Sequence, residues 1–209
     1  MSRLALTDQL SREYRAIFTK AAIRPERAAL VSRLAARIWA EAPMARYRAV
    51  STATGVPAHV VGILHSLESG QDFTRHLHNG DPLTARTARV PRGRPVDGEP
   101  PFTWEESAID ALCLQHLDAW DDWSVPGTAY VLERYNGFGY RLRRPSVPSP
   151  YLWSFTTAYT SGKYVADHVW SPTAVSRQCG GMALLLAMGE AGDIELDHGP
   201  DDPAVLPHR

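Results

Sequence analysis

The chain has 209 residues, 44% of them hydrophobic and 22% charged, with a formal net charge of −1. Those values exclude an intrinsically disordered chain and give no general electrostatic grip on nucleic acid. Two cysteines, Cys113 and Cys179, are too few for a disulfide framework or a zinc cluster and are expected as free buried thiols.

Taken in chain order, Thr7 to Ala21 reads as a helix with Thr7 as N-cap and Leu10, Tyr14, Ile17 and Phe18 on one face. A second helix is expected from Pro25 to about Ala42, and a third from Pro43 to Ala53. The stretch "VPAHVVGILHSLESG" starts with Pro57 in a first turn and stops at Gly70, with Val60, Val61, Leu64 and Leu67 as its buried face. Thr74 to Val90 alternates polar and apolar residues around Asn79-Gly80, which predicts a β-hairpin there. Pro91 to Pro101 is a Pro/Gly-rich loop. Thr103 and Glu106 form a capping box for the next helix. Another helix is expected over Val125 to Arg134, stopped by Asn136-Gly137, and a last one from Ser171-Pro172 to about Met188. The segment "SFTTAYTSGKYVADHVW" is read as irregular, and Trp104, Trp120, Trp123 and Trp153 as core.

These elements define a mostly helical α+β protein with one small hairpin on the flank of its cleft. A single domain over 1–188 is expected, with N-terminal helices in 1–54, a core in 55–188 and an acidic, loose tail over 189–209. The longest apolar stretch, Met182 to Met188, is far too short to span a membrane. The segment "MSRLALTDQLSREYR" carries charges where the apolar core of a signal peptide would be, so synthesis in the cytoplasm is expected. The arginines at 12, 15, 24, 27, 33 and 37 could make a basic face able to approach an anionic polymer or a membrane surface, or a solvated face with Glu13, Glu26 and Glu41 interspersed.

Two carboxylates stand out. Glu68 follows Leu64 and Leu67 at the end of the apolar helix, where desolvation favours a protonated acid. Asp81 lies in a polar turn with His76, His78 and Asn79, where the charged form is favoured. That asymmetry suits glycoside hydrolysis, in which one group protonates the leaving oxygen and the other activates water. Thr87, with five residues between it and Asp81, could help hold that water. The alternative is an ordinary helix end and an ordinary turn before Pro82.

The segment "ILHSLESGQDF" resembles the Glu-Ser end of the catalytic helix in the lysozyme superfamily, which includes lytic transglycosylases. The order of helix, Glu and carboxylate-bearing hairpin is similar, and so is the Asp81-to-Thr87 spacing of phage-type lysozymes; the Glu68-to-Asp81 gap is longer. "ERYNGFGY" resembles, at Tyr135, Asn136 and Gly137, a motif lining the groove opposite the catalytic Glu. "HLHNGDPLTART", "FTWEESAIDAL" and "YTSGKYVADHVWSPTAVSRQCG" look like segments of phage-endolysin and autolysin-like proteins, so that the likeness covers about 55–186.

The resemblance implies a lysozyme-like fold and a monomeric glycosidase cutting the peptidoglycan backbone without a cofactor. It would reach the wall through a holin-type pore or a secretion machine, with no stable membrane insertion. Glu68 would be the acid, Asp81 the possible base, and Tyr135, Asn136, Tyr140, Tyr159, Lys163, Tyr164 and Trp170 the groove lining. Two other readings remain: a zinc amidase or peptidase built on His76 and His78, and a wall-binding module that does not cut.

Overall fold

A computed structural model describes residues 4–166 and 169–199. The chain divides into two compact units, Met1–Ser32 with Asp122–Arg209, and Arg33–Asp121. Among the described residues there are nine helices and one two-stranded antiparallel sheet.

In the first unit, α1 (Asp8–Lys20) is capped by the Thr7 hydroxyl, which accepts from Leu10 N at 3.2 Å. Its buried face of Leu10, Tyr14 and Phe18 packs on α6 (Val125–Asn136). Helix α6 starts at a Ser124 cap with Pro126 in its first turn and stops at Gly137, whose φ of +84° an L-residue adopts with strain. The short α7 (Gly139–Arg143) and α8 (Pro150–Trp153) follow, and α6 and α8 pack on α9 (Gly181–Glu190).

The last helix starts ten residues later than its expected Ser171 start. A Cβ at Gly180 would overlap Leu152 O, and Gly180 N–H donates to Ser154 O at 3.1 Å, so the chain runs extended along α8 before it can turn helical. The stretch before it is not irregular either: β1 (Lys163–Ala166) pairs with β2 (Val169–Ser171), Tyr164 opposite Trp170. Aromatic and β-branched residues at paired positions favour that ladder.

After α9 the chain is tied back. Val125 N–H donates to Asp197 O at 2.6 Å, the Arg15 Nε to His198 O at 2.5 Å, and Leu196 packs on Gly189. The rest of the acidic tail, 200–209, lies outside the described residues.

The unit boundary falls within α2 (Pro25–Trp39). The second unit is built on α3 (Glu41–Thr54), α4 (Ala58–Ser69) and α5 (Trp104–Leu114). Helix α4 is buried nearly all round: Val60, Val61, Ile63, Leu64 and His65 are all 0% exposed. A helix without a solvated face is the centre of its unit. Each such aliphatic side chain contributes about 2 kcal/mol by leaving water. Gly62 lets α3 approach closely, since a Cβ there would overlap Ile38 Cγ2 and lie 3.2 Å from Tyr47 Cε2. Gly70, at φ +63°, closes the helix.

Residues 74–90 do not form the expected hairpin. An isolated bridge, Arg75 with Pro82, is the β-pairing found there, and the turn is closed by His76 N–H to Asp81 O at 2.7 Å. The Asn79 side chain accepts from Asp81 N at 3.0 Å, an Asx-type bond that competes with ladder formation, and Pro82 has no N–H to donate. Trp104 and Trp153 are core as expected, whereas Trp120 and Trp123 are half-buried; Cys179 is buried and Cys113 only partly so.

Candidate functional site

Glu68 occupies the last turn of α4 and is half-buried. The turn that carries Asp81 lies against that helix end: a Cβ on Gly80 would stand 3.3 Å from the Glu68 carbonyl oxygen. Thus an apolar helix, a left-handed glycine stop and a tight turn bring the Glu68 backbone and the Asp81 loop together.

Asp81 itself is committed to that loop. Its Oδ2 accepts from Ala88 N (2.9 Å), Arg89 N (3.1 Å) and Asn79 Nδ2 (3.2 Å), and its Oδ1 from Arg89 Nε at 2.7 Å. The Arg89 backbone N–H, then its guanidinium and the Ala88 N–H, hold the carboxyl down at about 2, against a smaller opposing effect of burial. A carboxylate with so many donors is a weak base. The expected Asp81–Thr87 water site is also replaced by protein bonds. The Thr87 hydroxyl donates to Pro91 O and accepts from Arg94 N at 2.9 Å, shaping the 87–94 loop instead.

The paired histidines are likewise spent. His76 Nε2 donates to Ala85 O at 2.8 Å, and its Nδ1 meets Ser107 Oγ at 2.8 Å. His78 Nε2 meets Asp110 Oδ2 at 2.7 Å, and its Nδ1 faces the same Ser107 hydroxyl at 3.5 Å. Arg94 clamps both oxygens of Asp110, its Nε at 2.8 Å from the same Oδ2 and its Nη2 on Oδ1. His76 gives its Nε2 proton to Ala85 O and turns its Nδ1 lone pair to the Ser107 hydroxyl, while His78 is buried with Nε2 on Asp110, so the pair does not present two exposed lone pairs to a zinc ion. Among the described residues there is no group of three His, Cys, Asp or Glu able to hold a metal ion.

Ser107, His78 and Asp110 have the composition of a nucleophile–base–orienter set. Ser107 is 0% exposed, however, and its hydroxyl sits closer to His76 than to His78, so a substrate could not reach it. The cluster's effect is to fasten the long loop to α5. The Thr103–Glu106 capping box sets the phase of α5 and so puts Ser107 and Asp110, one turn apart, toward the loop. Polar residues at those two positions, beside the buried Ala108, Ala111 and Leu112, were the available signal for this network, which sequence reasoning missed.

The sugar-lining candidates belong to the first unit. Tyr140, Tyr164 and Trp170 do come together: ring centroids lie 5.6 Å (Tyr140–Tyr164), 5.2 Å (Tyr164–Trp170) and 6.0 Å (Tyr140–Trp170) apart. All three are half-buried, Arg144 stands 4.9 Å over the Trp170 ring, and Lys163 is half-buried on β1. Tyr159 departs from expectation. It is 3% exposed, and its hydroxyl donates to Gly162 O (3.2 Å) and accepts from Ser176 N (3.3 Å). Tyr135 is half-buried and Asn136 exposed at the end of α6.

A further carboxylate cluster in this unit escaped the sequence reading. Glu133, 3% exposed, accepts at Oε2 from the Tyr14 hydroxyl and from Arg141 Nε (3.0 Å) and Nη2 (2.9 Å), while Arg141 Nη1 bonds Glu13 at 2.7 Å. Burial, then the Glu133 charge, pushes the Tyr14 hydroxyl far above its ordinary range. Such a compensated ion pair ties α1, α6 and α7 together.

No protein-family model, no curated protein and no solved structure matches the chain.

Proposed function

We propose that the protein is a lysozyme-type glycosidase that cuts the glycan backbone of peptidoglycan, with Glu68 as its general acid. The observation that carries this reading is Glu68 itself. It is a half-buried carboxylate in the last turn of a helix that has no solvated face, abutted by the 76–81 turn. A carboxyl carried at the end of such a helix is the kind of group this chemistry needs to protonate a leaving oxygen. The order and wording of "HSLESG" and "HLHNGD" are the part of the superfamily resemblance that supports the same role.

The bonds made by Asp81 favour one version of the chemistry. With that carboxylate held by four donors, Glu68 acts first as acid and then as base. It protonates the glycosidic oxygen as the C1–O bond breaks, then takes the proton from the sugar's own 6-hydroxyl as that oxygen attacks C1. The product is an anhydro sugar end, one water short of the hydrolytic product. The cluster of Tyr140, Tyr164 and Trp170 is, in this reading, a surface on which sugar C–H faces stack.

The protein would act as a monomer on the wall after release from the cytoplasm. No helix among the described residues is long and apolar enough to cross a membrane. The test is turbidity loss of purified peptidoglycan by wild type and Glu68→Gln, with mass analysis of the released fragments. Anhydro ends support Glu68 acting alone, and reducing ends require a water-activating base. Binding to the wall without any cleavage by the wild type would replace the reading with that of a binding module.

A further inference from the structure

A cavity of about 280 Å³ lies in the first unit, between the first turn of α2 and the segments that carry Ser154 to Thr160 and Val175–Ser176. A water molecule takes about 30 Å³, so the space is fragment-sized, far larger than a bare ion needs.

Three features of its lining need explaining. Arg27 places its guanidinium 4.7 Å over the Phe155 ring and has neither a hydrogen bond nor an ion pair for it among the described residues. Arg24 beside it is anchored by Nε to Thr156 O at 3.0 Å and Nη2 to Tyr159 O at 2.8 Å, which leaves Nη1 toward other partners. Ser154 is 1% exposed, and its buried Oγ has no hydrogen-bond partner. Buried hydroxyls are nearly always bonded, so an orphan one at a cavity wall marks a place for a ligand atom. Between them Phe155 is held at φ +72°, a strained conformation for a bulky residue, and that backbone puts its ring under Arg27 and its carbonyl on Arg24 N–H at 3.0 Å.

Glu26, the one carboxylate in the lining, is exposed and pairs with neither arginine among the described residues. The balance of the lining is therefore positive. Guanidinium groups present planar N–H pairs that match oxyanions, while Phe155, Tyr159 and Val175 offer an apolar wall.

We propose that this cavity binds the oxyanion group, carboxylate or phosphate, of a small organic ligand. The two guanidinium groups and the Ser154 hydroxyl take the anion, and the apolar wall takes the body that carries it. The site stands apart from the glycosidase reading and does not depend on it.

The test titrates the full chain, at low salt, with benzoate, phenyl phosphate and neutral benzyl alcohol, followed by NMR shifts of residues 154–160. Saturable binding of benzoate alone assigns a carboxylate ligand, of phenyl phosphate alone a phosphate, and of both the shared oxyanion chemistry. Arg27→Met, which keeps an apolar stem over Phe155 but removes the charge, should weaken binding about tenfold or more. Ser154→Ala should weaken it several-fold while melting no lower than wild type, because the hydroxyl it removes has no partner in the empty protein. Binding of benzyl alcohol as tight as that of the anions, no binding of either anion, or unchanged affinity in Arg27→Met would overturn the proposal.

Discussion

Acid should unfold this protein through its buried imidazoles, and His65 offers the clearest case. It is 0% exposed in the middle of α4, its Nδ1 is 3.0 Å from the Tyr47 hydroxyl, and the rings of Phe73 and Trp104, 4.9 Å from each other, both pack on it with centroids 4.5 Å away. Burial first, and the positive charges of Arg46 and Arg37 after it, push its pKa from 6.5 down to about 4, with Asp72 opposing. The sign follows directly. Below 6.5 the unfolded chain takes up a proton that the folded chain refuses, so stability falls as pH drops and keeps falling until about pH 4. A difference of that size is worth about 3 kcal/mol. His78, also held near 4 by burial against the pull of Asp110, adds a loss of similar sign over the same range. Set against a total stability of about 5–15 kcal/mol, two such groups remove a large share of it, so the second unit should be much less stable in mild acid. Urea unfolding from pH 7 to pH 4 measures this. His65→Gln, which keeps a partner for Tyr47, should lower stability at pH 7 by about 1 kcal/mol yet flatten the acid slope by about 3 kcal/mol. An unchanged slope in His65→Gln, or a His65 imidazole titrating near 6.5 by NMR, would refute the reasoning.

Three other outcomes follow from the same geometry. Asp81→Asn removes the charge on which Arg89 and two backbone N–H groups converge; since Arg89 is largely exposed, the cost should be about 1 kcal/mol at pH 7 by thermal melt, and at least a tenth of lytic activity should survive. A loss as deep as that of Glu68→Gln would restore Asp81 as the base. Gly62→Ala drives a methyl into Ile38 and Tyr47 and should destabilise by about 1–3 kcal/mol in urea, with little change in activity per folded molecule. Lysis should survive EDTA, because both nitrogens of His76 and of His78 face protein partners; activity lost on chelation and restored by zinc would overturn that assignment.

Much of the helical frame was legible because local chemistry fixes it: the Thr7 cap, Pro57 before α4, Gly70 after it and the Thr103–Glu106 box act within a few residues. The failures were contests between the expected pattern and other partners. Asn79-Gly80 reads as a hairpin turn, but the side chains of Asn79, Asp81 and Thr87 bond to the backbone and take the place of a ladder. The real hairpin, at 163–171, has no short-range turn signal of that kind and shows itself through cross-strand Tyr164–Trp170 pairing. Likewise Ser171-Pro172 looks like a helix start, but the extended path to Gly180 is set by α8, which sequence spacing does not reveal. For the candidate site, a Glu in the last turn of an apolar helix was readable. That Asp81 and the histidines would be consumed by Arg89, Ser107 and Asp110 was not, because those partners lie 8 to 32 residues away along the chain.

In the proposed reaction the Glu68 carboxyl is the proton donor. Glu68→Gln keeps the shape and removes the ionisable group, so the variant should fold and keep wall binding while clearing peptidoglycan at least a hundredfold more slowly. Clearing at the wild-type rate by a folded Glu68→Gln protein would contradict the account.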